Sequence, residues 1–159
     1  MKFAIYIFIL LILINSCGEK CPCPNESIIP IFVSYSNNET DTIIIRRYQK
    51  GTNFSQLVDS FSWTYDNTSR VNKGDSIWIF AVKLEQRIND KYDWQVINPF
   101  DNKNFSISDI IVKPKEIHCG GIFGLDKGPC VSPIVSYKRD NIPVVANDND
   151  PSTWFIIKK

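Results

Sequence analysis

From residue 30 to its end the chain alternates short runs rich in Ile, Val, Phe, Tyr, Trp and Thr with clusters of Asn, Asp, Gly, Ser and Pro. Branched and aromatic side chains suit the pleated, half-buried surface of a strand, and the intervening clusters carry turn chemistry. The pattern predicts strands near Ile31–Ser36, Thr42–Tyr48, Asp59–Tyr65, Ser76–Leu84, Tyr92–Asn98, Phe105–Val112, Ser132–Tyr137 and Thr153–Lys158. Turns are expected at Ser36-Asn37-Asn38, Asp66-Asn67-Thr68, Asn72-Lys73-Gly74-Asp75, Asn89-Asp90 and Asp101-Asn102. No long stretch repeats its apolar residues every 3.6 positions, and only Phe54–Val58 and Lys83–Asp90 have room for a helical turn. The expectation is an all-β chain, an antiparallel β-sandwich of about seven to eight strands, with a small barrel as the alternative.

Side-chain alternation assigns faces. Phe61, Trp63 and Tyr65 fall on one side and Ser60, Ser62 and Thr64 on the other, which describes a strand with one wet face. Ile77, Ile79 and Ala81 oppose Trp78, Phe80 and Val82, so that strand should be central and largely buried. Trp154-Phe155-Ile156-Ile157 should close the sheet, and trimming it should damage folding.

The amino terminus has another character. Met1-Lys2 precedes an unbroken apolar run from Phe3 to Ile14, followed by Asn15-Ser16-Cys17. A positive start, about a dozen apolar residues and a small residue before a cysteine describe a secretory leader, because a membrane span needs roughly 20 apolar residues. Ile14-Asn15-Ser16-Cys17 resembles the lipobox of bacterial lipoproteins, although Asn15 departs from the commonest choice there. The resemblance covers the leader alone. It implies a signal peptide over 1–16 and a lipidated Cys17, while the polar, proline-broken run that follows reads as a tether over 17–29 and the remaining length suits a single sandwich domain over 30–159. It also implies a bacterial cell-envelope location, at the outer membrane or cell surface rather than the inner membrane.

Of the 18 Lys and Arg the leader removes only Lys2, leaving 17 against 17 Asp and Glu. A neutral chain without a basic block has no electrostatic case for nucleic acid, so the membrane would be reached through acyl chains. One chain anchors only marginally, and stable attachment takes more than one.

Once Cys17 is set aside, Cys21, Cys23, Cys119 and Cys130 remain, an even number suited to an oxidising compartment. A Cys21–Cys23 bridge would close a very small, strained ring across Pro22. Cys21 and Cys23 are therefore expected to reach Cys119 or Cys130, closing loops of on the order of 100 residues, worth roughly 4 to 5 kcal/mol in the chain-entropy model. Pairing of Cys119 with Cys130 remains the rival.

His118 beside Cys119 invites a metal or a Cys-His nucleophile, but neither the spacing nor a third orienting group is present, and a disulfide-tied loop is the expectation. No metal or cofactor is implied. The chain has one His and lacks a nucleophile elbow, a zinc-protease motif, a phosphate loop and a dinucleotide fingerprint, so no catalytic residue is assigned and no enzyme is expected.

Ligand contact has two candidate addresses. Ile122, Phe123 and Leu125 place apolar side chains between glycines in the Lys113–Pro133 loop, where an envelope protein partner would find them. Trp63 with Tyr65, or Tyr92 with Trp94, would stack sugar rings in a carbohydrate-associated lipoprotein, against the plainer role of core packing. Asn147-Asp148-Asn149-Asp150 has too few oxygen ligands for a calcium loop and reads as a solvated turn. Asp41-Thr42-Ile43 and Asp75-Ser76-Ile77 resemble O-glycosylation sites of exported Bacteroidota proteins, a triplet that any turn leading into a strand also produces.

Overall fold

The computed structural model describes residues 19–119, 130–145 and 154–159. Its strands in chain order are β1 (Glu19–Pro22), β2 (Ile29–Val33), β3 (Ile43–Gln49), β4 (Leu57–Trp63), β5 (Thr68–Lys73), β6 (Ser76–Ala81), β7 (Tyr92–Asn98), β8 (Lys103–Val112), β9 (Glu116–Cys119), β10 (Ile134–Arg139), β11 (Ile142–Val145) and β12 (Trp154–Lys158). Short 3₁₀ turns occupy Asn38–Thr40, Tyr65–Asn67 and Leu84–Gln86. The contacts divide the chain into two compact units, one of residues 25–113 with 133–159, the other of residues 1–24 with 114–132.

The larger unit is an all-β sandwich of a six-stranded sheet ordered β11-β10-β8-β7-β3-β4 and a four-stranded sheet ordered β12-β2-β6-β5, which do not close into a barrel. Every pairing in it is antiparallel except β12 on β2, which is parallel. The core lies between the sheets. Ile43, Ile45, Trp63, Trp94, Val96 and Ile107 come from the larger sheet, and Phe32, Ile77, Ile79, Phe155 and Ile157 from the smaller. Each large apolar side chain taken fully out of water contributes about 1.5 to 3 kcal/mol.

Period-two alternation accounts for these positions. Ile77, Ile79 and Ala81 are buried and β6 is central in its sheet, as expected, while Trp78 and Phe80 are half-covered on the other side and Val82 is exposed. Strands β5 and β11 lie where no strand was expected from the sequence. Thr68-Ser69-Arg70-Val71-Asn72-Lys73 has one aliphatic residue, because an edge strand needs little apolar surface. Strand β11 follows Asp140 and Asn141, both at positive φ (50° and 66°), the geometry of a two-residue type I′ hairpin turn.

Cations from both sheets lie against aromatic rings. The Arg47 guanidinium lies 5.3 Å from the Phe61 ring, 5.0 Å from Tyr92 and 5.9 Å from Trp94, and pairs with Asp59. Arg139 lies 5.0 Å from Phe105 and 4.7 Å from Phe155. Arg70 stacks on Tyr65 at 4.0 Å, and Lys103 donates to the Tyr35 hydroxyl at 3.1 Å. Stacking on ring faces keeps these stems packed while their charges find partners at the rim.

In the smaller unit, β1 pairs antiparallel with β9, so Glu19–Pro22 forms a strand within the segment read as a tether. Cys23 is bonded to Cys130 across 107 residues of sequence. Ser132 is 2% exposed; its hydroxyl donates to the Cys23 carbonyl at 3.1 Å and accepts the Lys115 amide at 3.0 Å. The Ser132 amide donates to the Pro24 carbonyl.

Candidate functional site

A groove of about 430 Å³ opens on the outer face of the six-stranded sheet. A backbone irregularity builds it. Asp109 takes φ = 50°, a left-handed conformation that Asp tolerates better than most side chains, and the β8–β10 register slips there, with Lys138 opposite Ser108 and Ser136 opposite Ile111. The extra residue turns Ile110 into the core and leaves Ile111 on the outer face at 55% exposure. It also aims the Asp109 carboxylate at Lys138, whose ammonium lies 2.8 Å away and whose pKa is raised by that bond.

Ile111, Pro143 and Val145 give the groove its apolar floor, with Val145 70% exposed. Lys50 reaches in from the β3–β4 hairpin and donates to the carbonyls of Asp90 and Ile110 at 2.9 and 3.1 Å. The lining thus offers aliphatic surface beside an ion pair that a charged ligand can open. Among the described residues no group of three His, Cys, Asp or Glu is placed to hold a metal ion.

The sugar-stacking candidates lie elsewhere. Trp63 is 1% exposed and belongs to the core, so it presents no ring face to solvent. Tyr65 is 47% exposed but sits in a 3₁₀ turn past the end of β4, and the Arg70 guanidinium covers one side of its ring. The strand ends at Trp63 because Thr64 and Asn67 form a reciprocal capping box, which takes Tyr65 off the face it was expected to share with Trp63. Trp94 is fully buried, its indole N–H donates to the Asn89 carbonyl at 2.8 Å, and Tyr92 packs against it edge to face at 5.7 Å. Trp63, Trp94 and Tyr92 therefore serve the core, and Tyr65 stands apart from it.

Ile122, Phe123 and Leu125 lie outside the described residues, as do Cys17 and Asn147–Asp150. Of the four expected disulfide cysteines, Cys23 and Cys130 are bonded to each other, Cys21 is also disulfide-bonded, and Cys119 has its backbone in β9. The sequence reading missed every groove residue. The one usable signal was Asp140-Asn141 between apolar runs, a hairpin turn that would have placed β11 and with it Pro143 and Val145.

No family model, no curated protein and no solved structure matches this chain.

Proposed function

We propose that this protein is an exported bacterial lipoprotein, anchored through an acylated Cys17, whose β-sandwich is a non-enzymatic binding or structural module of the cell envelope. The observation that carries the reading is the Cys23–Cys130 bond, which joins positions 107 residues apart. Structural disulfides persist in oxidising compartments and are rare in the cytosol, so the bond supports the same export that the leader implies. The groove framed by Ile111, Pro143, Val145 and the Asp109–Lys138 pair supports the binding role, because it joins apolar area to a charged pair.

Metabolic labelling with a palmitate analogue, followed by membrane fractionation, tests the anchor. The wild-type chain is expected to carry label in the envelope fraction, and Cys17→Ala to lose both label and membrane association. Unlabelled protein in the cytosolic fraction would refute the assignment.

A further inference from the structure

The sandwich has four edge strands, and three are closed by the chain's own chemistry. On β11 the pair Arg139–Ile142 closes the hairpin, so alternation turns the Pro143 nitrogen to the free side, where it has no hydrogen to donate. On β12 the outward carbonyls of Ile156 and Lys158 accept Arg139 and Lys103. Strand β5 ends in Lys73, and a charged edge resists pairing.

Strand β4 is different. Its one inward charge, Asp59, is neutralised by Arg47, and Leu57 and Val58 are exposed at 55% and 49%. The Thr64 amide donates to Asn67 Oδ1 and Asn67 Nδ2 donates to the Ser62 carbonyl, both at 2.8 Å. The Asn67 side-chain amide thus occupies the place a neighbouring strand's peptide group would take, which shows that Ser62 and Thr64 turn their backbone groups away from β3. Alternation puts Ser60 on the same side. Among the described residues no hydrogen bond meets the Ser60 N–H, the Ser60 carbonyl or the Ser62 N–H.

We propose that the β4 edge is a self-association surface, taking β4 of a second copy in antiparallel register about Ser60. A single residue that presents both donor and acceptor is self-complementary: two Ser60 residues facing across a two-fold axis exchange two backbone hydrogen bonds. That register sets Ser62 against Val58 of the second copy and Asp59 against Phe61, so no like charges oppose each other, and a chain of formal net charge +1 adds little repulsion. Asn67 closes the edge beyond Ser62 and limits the seam to a short one, which makes the pairing weak and concentration-dependent.

Sedimentation of the full chain in density-matched detergent, up to about 1 mM where even weak pairing is populated, tests this whether or not Cys17 is acylated. The protein mass is expected to rise towards twice the monomer, with the Ser60 and Ser62 amides exchanging more slowly as it does. Ser60→Pro removes a donor that the fold does not use and should stay monomeric with unchanged circular dichroism. Ser60→Glu, which sets two carboxylates opposite each other, should weaken pairing about tenfold, with salt restoring part of the loss. A wild-type chain that stays monomeric throughout overturns the proposal. So does a dimer that Ser60→Glu leaves intact.

Discussion

The two units are held by different physics. The sandwich buries Trp63, Trp94, Phe32 and Phe155 between two sheets and needs no covalent link inside that core. Among the described residues of the smaller unit, β1 pairs with β9 over four residues each, too little to bury a core, and the Cys23–Cys130 bond and the buried Ser132 hydroxyl tie them together. Small structures that cannot bury enough apolar surface need staples. The contrast explains why the described bridge lies in the smaller unit.

Ending the chain after Thr153 should separate the two regimes most strongly. It removes Phe155 and Ile157, both fully buried, and large-to-small changes at such sites cost about 2 to 5 kcal/mol each. Urea unfolding should then show no cooperative transition. Reducing the disulfides should act on the other unit, costing roughly 2 to 5 kcal/mol. Hydrogen exchange should quicken in β1 and β9 while β7 and β3 stay protected; equal loss in all four strands would break the comparison. Arg47→Ala should cost the sandwich about 1 to 2 kcal/mol, through lost packing of its stem on three rings.

The smallest effect concerns pH. The Asp59 carboxyl is held below its ordinary value by its bond to Arg47. Burial pushes Asp101 upward, but hydrogen bonds from Tyr35 and Lys103 outweigh it and leave Asp101 lowered as well. A lowered folded pKa contributes stability that is complete above the unfolded carboxylate value of about 4 and is lost as pH falls through the folded value. The melting temperature of the wild type should therefore drop more steeply below about pH 4 than that of Asp101→Asn. The corresponding loss of stability should amount to about 1 kcal/mol or less, as for other partly exposed pairs.

Strands with period-two apolar residues were legible: β7 spans Tyr92–Asn98 as the pattern predicts, and β3 and β8 differ only at their ends. Burial writes itself into sequence as alternation. Strands β1, β5, β9 and β11 left no such mark, since edge and two-stranded elements owe little to apolar burial. The groove was illegible for a related reason: it depends on the left-handed turn at Asp109, a backbone event that no side-chain periodicity records. The aromatic pairs left two readings open, core packing and a sugar platform, because large amphipathic rings suit both, and the burial of Trp63 and Trp94 favours the plainer one.

Non-reducing peptide mapping with mass spectrometry, on protein recovered from cells, tests the account most directly. It should find a fragment joining Cys23 to Cys130 and a first residue, Cys17, carrying acyl groups. Free thiols at Cys23 and Cys130 in a chain still beginning at Met1 would contradict it.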